Sequence, residues 1–492
     1  MARRRGTRRL GRYRRRHTPV KVATCTAAVA SRPAPTGSAA RANDPPKRHS
    51  LRAILFSAGF TVVLQGASSL MAFLTVLVLA RLLHSSGYGR YAVALAWATL
   101  LVTPATLGLD RFLVRGIATY ETQGQWPLAR GLLTRTNQLV ALTSTLIACL
   151  GAGAAATVVS PQLRWTFAVA MVIIPFTALT VLRQGAMQAL GHVVAGQFPE
   201  YIIRQVLILG AIGLSAWWLP GQLTATSAAA INVAGVAVAF CVGAWMLRRA
   251  LPRAIRVSRP EYATRSWLRA SLPMMLVAGV TTANTYVAIL LVGAIRGAGA
   301  AGIYSVVQTG GGLIAVVLMA ANMPLAPAVA SLYARGDRRG LERAAEGVAR
   351  AAMLTSLPLV AAFVVVPQVY LQLFGRGFEA GATALLIVAL GQLLNVAAGP
   401  SGNVLLMTGH EAVALRGILA GLVTNLIVDV ALIPKLGVTG AAVGAAMSLC
   451  VWNAIFVLIA RRRLGVNVTA FKVLSLAACS PEDTSRSDAH TP

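Results

Sequence analysis

Charge is what this sequence lacks. Of 492 residues only 12% are Asp, Glu, Lys or Arg, about half the ~25% usual in soluble globular proteins. Acid is scarcest, with 14 Asp plus Glu in the whole chain. With 56% AVILMFWYC and a mean hydropathy of +0.68, there is too little polar surface to cover a soluble domain. That excludes an ordinary soluble protein. Cysteine is nearly absent as chemistry. The five cysteines show no C-x-x-C or metal-ligand spacing, which argues against a disulfide framework or a zinc site. Cys149, Cys241 and Cys450 lie inside apolar runs and read as small packing residues. There is no D-x-D, no G-x-x-x-x-G-K-[ST] and no long loop on one side of the chain. A glycosyltransferase, a polymerase and an ATP-driven pump therefore lose their machinery. The expectation is a protein without catalytic residues, metal or cofactor.

Long apolar runs are what is there. Twelve segments fall near 54–80, 89–110, 137–159, 165–187, 201–219, 224–247, 271–295, 302–326, 351–374, 381–406, 413–433 and 438–460. Each has the roughly 20 residues that cross a hydrocarbon core. They lack the period-two alternation of barrel strands, so helices are expected. Gly, Ala, Ser and Thr are frequent within them, which lets helices approach closely in lipid. The predicted fold class is an all-α membrane protein with twelve transmembrane helices.

The few charges are mostly basic: 45 Lys plus Arg give a formal net charge of +31. A pI near 11.6 would suit a nucleic-acid binder, but position argues otherwise. With the N-terminus inside, 39 of the 45 fall in the tails or at the inner ends of the runs. Only Arg81, Arg90, Arg164, Arg296, Arg376 and Lys435 fall outside. The expected topology is multi-pass in a bacterial cytoplasmic membrane, N-in and C-in, with no nucleic-acid partner. Residues 1–50, Arg-dense and then rich in Pro, Ala, Ser and Thr, are expected to be a disordered basic tail. That tail is read either as an arm on anionic lipid or as an over-long gene start. The other expected divisions are a lobe at 51–250, a basic cytoplasmic linker at 251–270, a lobe at 271–464 and a polar tail at 465–492.

The chain also repeats itself at an offset of about 213 to 218 residues. Gly89 and Tyr91 after the first segment match Gly302 and Tyr304 after the seventh; Tyr120 matches Tyr333, and Gly191-His192 matches Gly409-His410. Six helices per half return the chain to its starting side. Two parallel lobes related by an axis along the membrane normal follow. They would leave a central cavity suited to alternating access.

On these residues the chain resembles a known family. Ala80-Arg81-Leu82-Leu83, Gly89-Arg90-Tyr91 and Leu107-Gly108-Leu109-Asp110-Arg111 look like the start of bacterial polysaccharide flippases. Asn425-Leu426, Leu432-Ile433-Pro434, Gly437 and Gly440-Ala441-Ala442 are similar to the helix 11–12 signature of the same family. The resemblance covers about 51–464 and extends to the wider group of multidrug-and-toxin-extrusion transporters and lipid II flippases. It implies movement of an undecaprenyl-pyrophosphate-linked oligosaccharide between leaflets for surface polysaccharide synthesis. Its implied partners are the lipid-linked glycan, membrane lipids and the pathway's glycosyltransferases and polymerase.

Such a substrate needs cations for its phosphates and hydrogen-bonding groups for its sugars. The candidate cations are Arg111 and Arg115 at the inner end of helix 2, Arg183 in helix 4 and Arg204 in helix 5. Arg183 lies about two turns from the inner boundary, where it either serves function or snorkels to the headgroups. Gln65, Asn284 and Gln308 are candidate sugar contacts, Gln65 and Asn284 holding equivalent places in the two halves. Each is otherwise an interhelical fastener. Asp429 is a candidate ion-coupling group, or alternatively a structural or lipid-interface residue. Asp110 is expected to pair with Arg111. Gly310-Gly311-Gly312 is the expected hinge. The nearest rivals are a multidrug cation antiporter and a lipid II flippase. The first is disfavoured because helix 1 has no Asp or Glu.

Overall fold

The computed structural model describes the chain from residue 51 to 471, apart from Val158, Leu219 and Pro220. The expected basic tail at 1–50 lies outside the described residues. Among the described residues ten helices are long and apolar enough to cross a membrane, and two of these each contain two spans. Val63–Thr106 changes direction at His84 (φ 58°, ψ 177°) and Thr264–Met323 at Gly297 (φ 83°, ψ 175°). Twelve spans result, as expected. They are α1 (51–83), α2 (85–106, resumed as Leu109–Thr122), α3 (Trp126–Thr157), α4 (Pro161–Ala189), α5 (Val193–Trp218) and α6 (Ala225–Ala250). The second half holds α7 (264–296), α8 (298–334), α9 (Arg338–Val365), α10 (Glu379–Ala397, prolonged by Ser401–Met407), α11 (Glu411–Leu436) and α12 (Val438–Leu464).

The repeat is visible in the backbone. His84 and Gly297 occupy the same corner in the two halves with nearly the same dihedral angles. Gly124 and Gly336, Gly191 and Gly409, and Gly221 and Gly437 all have positive φ. His192 and His410 stand at the N-cap positions of the helices that follow Gly191 and Gly409. His84 carries a side chain where its counterpart is glycine. Such a conformation costs a non-glycine residue on the order of 1–3 kcal/mol. His84→Gly is therefore expected to raise the thermal midpoint in detergent, a gain of about 1 kcal/mol, without altering transport.

The corner at His84 and its counterparts lie at one end of the bundle, called here the sparse end because it holds few cations. At that end the lobes share one core. Leu79, Tyr88, Tyr91 and Val93 pack with Val292, Tyr304, Phe374, Phe378 and Leu385. An aromatic chain runs through it: Phe73 meets Phe374 edge-on at 5.7 Å and Tyr88 meets Phe378 at 6.5 Å. The backbones touch, because a Cβ on Gly89 would stand 1.7 Å from the Ala298 carbonyl. At the opposite, basic end each lobe has its own core. Leu109, Leu113, Ile117 and Leu132 belong to the first; Leu325, Val329, Leu341 and Phe456 belong to the second. The seam between α2 and α7 stays closed, with Gly108 against Ser271 and Met275.

The segment between the lobes is docked rather than free. It forms a short helix, Arg253–Val257, and Arg130 Nη1 donates to the Ser258 carbonyl at 2.6 Å. Gly131 leaves room for the Glu261 carbonyl, and Trp267 donates to Tyr120 Oη at 3.0 Å. The start of the expected C-terminal tail is also built in, since Val466 and Val468 are buried and Asn467 is bound by Glu342 and Glu346.

Candidate functional site

Two polar clusters lie in the apolar slab, one in each lobe. The first gathers charge. Arg204, eleven residues into α5, pairs with Glu200 one turn earlier, and its Nη2 donates to Asn232 Oδ1 on α6 at 3.1 Å. Asn232 passes the chain on by donating to Tyr91 Oη on α2 at 2.8 Å. The α5 backbone is a π-turn over Pro199–Ile203, a local change of winding that often marks functional sites. Arg183 of α4 is only 3% exposed. Its guanidinium lies over Gly243 of α6, where any Cβ would come within 2.0 Å of Cζ. Among the described residues Nε, Nη1 and Nη2 have no hydrogen-bond partner. The snorkelling alternative is thus not adopted: Arg183 turns into the lobe and stays there uncompensated.

The second cluster is uncharged except for Asp429. A cavity of about 150 Å³ is lined by Asn284, Gln308, Gln392, Asn425, Ser448 and Trp452. Ser448 donates to Asn284 Oδ1 at 3.1 Å and Gln308 to the Thr285 carbonyl at 2.7 Å. Asn453 donates to Asn395 Oδ1 at 2.8 Å, and Asn395 to Gln392 at 3.2 Å, extending the amide row along α10 and α12. Asp429 is fully buried behind this wall, close against Gly444. In the amide orientation that satisfies both side chains, Asn425 donates to its Oδ2 at 3.0 Å. The lipid-interface alternative for Asp429 is therefore corrected: its carboxylate faces the protein.

The structure brings Asn284 and Gln308 together, but not Asn284 and Gln65. Gln65 is half-buried on α1 and does not line the Asn284 cavity. Arg111 and Arg115 are exposed on the α2 extension. Gly108 faces α7 while Asp110 and Val114 face α4, so helical spacing directs both arginines between those two flanks at the basic end. The expected Asp110–Arg111 pair is absent; among the described residues the ion pairs are Glu200–Arg204 and Glu346–Arg350. Asp110 instead sits in the first turn after Gly108, where a carboxylate favours the helix dipole. Gly310-Gly311-Gly312 lies in unbroken helix. Gly310 packs on Leu385 and Tyr370, and Gly311 on Val388.

Glu200, Gln392 and Trp452 were not singled out by the sequence. For Glu200 a signal existed: Glu-x-x-x-Arg is an i,i+4 pair, hidden because the apolar run begins one residue later. No corresponding signal marks the others.

Comparison with known proteins fits this geometry. A family model described as polysaccharide biosynthesis protein matches residues 54–333, more than half the chain. The chain belongs to that family. The matched region takes in the first lobe, its charged cluster and helices α7 and α8; the rest of the second lobe is related through fold. A multidrug resistance MATE family transporter of the MOP superfamily in its inward-facing conformation superposes with a TM-score of 0.66 at 14% identity, covering 82% of this chain and 98% of that one. An outward-facing structure of such a transporter gives 0.55 at 14% identity, covering 82% and 95%. The lipid II flippase MurJ in an inward closed conformation gives 0.56 at 14% identity, covering 83% and 87%. No curated protein matches by sequence. The family member described here is thus a multi-pass membrane protein with the two-lobed transporter fold, and the neighbours are transporters and a flippase rather than enzymes.

Proposed function

We propose that this protein flips an undecaprenyl-pyrophosphate-linked oligosaccharide across the bacterial cytoplasmic membrane by alternating access. One observation carries the reading: the two lobes divide the chemistry of such a headgroup. The first lobe holds one buried and one half-buried guanidinium, suited to a diphosphate. The second offers amides, a hydroxyl and Trp452 around one cavity, suited to sugar hydroxyls and ring faces. The family match supports the polysaccharide pathway, whose glycosyltransferases and polymerase would be the protein's functional partners.

The basic end is assigned to the cytoplasm, because cytoplasmic loops carry the excess of Lys and Arg. The shared core then seals the outer end while the lobes part inward. Arg111 and Arg115 stand at the mouth, Arg204 lies deeper, and Gln65 lines the α1 wall on the way. The lipid tail stays in the bilayer. Asp429 is assigned the ion-coupling role, since a fully buried carboxylate with one amide partner is poised for a proton or cation. The membrane potential contributes as well: each net negative charge moved outward gains about 2.3 kcal/mol per 100 mV.

Bending of α8 at its three glycines reverses the access. Gly312 tests this more cleanly than Gly311, because nothing lies within 4 Å of a Cβ placed there. Gly312→Leu is expected to keep wild-type stability and slow transport several-fold; an unchanged rate would remove the hinge role.

Depletion of the protein tests the function itself. Lipid-linked glycan is expected to accumulate in the inner leaflet, read by its protection from an externally added glycosidase. Normal glycan export with altered sensitivity to cationic drugs would instead identify a drug antiporter.

A further inference from the structure

The charged cluster of the first lobe is one anion short. It holds two guanidiniums and one carboxylate within the apolar slab. Glu200 Oε1 pairs with Arg204, whereas Glu200 Oε2 is buried without a partner. All three Arg183 nitrogens are also unpartnered among the described residues, and Gly196 of α5 packs against Met187 and Gln184 of α4, which sets Glu200, one turn further on, alongside Arg183. A buried unpaired guanidinium is costly, so its retention needs a reason. Its berth is specific, since only glycine at 243 leaves the space the guanidinium fills. The two arginines also differ in access. Arg204 is 23% exposed in its side chain, while Arg183 is closed off.

We infer that Glu200 is an exchangeable counter-ion, held by Arg204 in the empty transporter and passed to Arg183 when a ligand diphosphate takes Arg204. This rests on the diphosphate-bearing substrate proposed above. The exchange answers two electrostatic needs with one carboxylate. Before loading, it keeps the reachable cation from standing bare in a low-dielectric site. After loading, it neutralises the cation left unpaired in the empty state. It also sets selectivity. A ligand must displace a carboxylate that is already in place, which a diphosphate with its higher charge does and a monoester does poorly. The π-turn under Glu200 is where α5 has backbone slack for the carboxylate to swing.

The full-length protein in nanodiscs tests this in two ways. Without ligand, the Arg183–Glu200 coupling is measured from thermal unfolding of R183Q, E200Q and the double variant, with Arg204 present and again in R204Q. Exchange predicts little coupling with Arg204 present and a clear coupling in R204Q, where Glu200 is free to move. Equal coupling in both backgrounds overturns the inference. With ligand, farnesyl diphosphate and farnesyl monophosphate are compared. E200Q is expected to bind the diphosphate about tenfold more tightly than wild type, because both guanidiniums then attract the anion with no carboxylate competing for them, and E200D should behave as wild type. The preference for diphosphate over monophosphate should shrink in E200Q. Weaker binding together with a lowered thermal midpoint would show a mere brace and overturn the inference. If the unfolding cycle shows exchange but neither lipid binds any variant, the substrate reading falls and the exchange stands.

Discussion

Gly89→Val is expected to abolish the seal at the sparse end, the end proposed to face outward, and reduce transport more than about tenfold, because the contact it breaks is backbone on backbone. A Cβ at Gly89 would lie 1.7 Å from the Ala298 carbonyl oxygen and 2.8 Å from the Gly302 nitrogen. The contact is reciprocal, since a Cβ at Gly302 would lie 2.2 Å from the Ser85 carbonyl. No rotamer change relieves either clash; α2 and α8 must separate. Their separation pulls apart the aromatic chain behind them and the Tyr88 Oη–Ser305 Oγ contact of 3.1 Å. Ser305→Cys, in a background without the native cysteines, reports it. Labelling of that thiol from outside by an impermeant reagent should be slow when Gly89 is kept and fast when Gly89→Val is added. Wild-type transport with the thiol still protected in the Gly89→Val protein would show that this crossing does not close the cavity.

Arg183→Met is expected to stabilise the protein and cripple it at once. Replacing even a buried ion pair with well-packed apolar side chains of similar volume is often neutral or gains about 1–4 kcal/mol, and Arg183 has no hydrogen-bond partner among the described residues to lose. The berth over Gly243 suits the thioether as well as the guanidinium stem. The thermal midpoint should therefore rise while flipping falls by more than about tenfold. A structural arginine would give the opposite pair, a lower midpoint with transport intact. The sign of one measurement thus separates a retained functional charge from a fastener.

Much of the architecture was legible in the sequence because it rests on one-dimensional quantities. Run length gives the span count, and two corners that unite four spans into two long helices do not disturb it. The repeat was legible from Gly89, Tyr91, Gly302 and Tyr304, residues that turn out to pack at one crossing. The site was only partly legible. Arg204 and Arg183 were visible because charge is so rare, but Glu200, which pairs with Arg204, sat at the edge of its apolar run. Gln65 and Asn284 looked equivalent by position in the repeat, yet Asn284 is drawn to Ser448 on α12 while Gln65 stays on the α1 wall. The hinge glycines looked like a break, yet in this state Gly310 and Gly311 serve close packing while Gly312 faces open space.

Twelve spans, two parallel halves and the end that gathers positive charge all follow from the order of the residues alone. Length, hydropathy and loop charge carry that information without reference to neighbours. What faces what is a property of the packed molecule. These helices are apolar nearly all round, so no hydrophobic stripe tells a buried flank from a lipid-facing one. Only the packed neighbours do: α6 with its glycine under Arg183, α11 and α12 closing over Asp429, and α2 against α8 at Gly89. The same few polar residues would be lipid anchors in one packing and a substrate path in another.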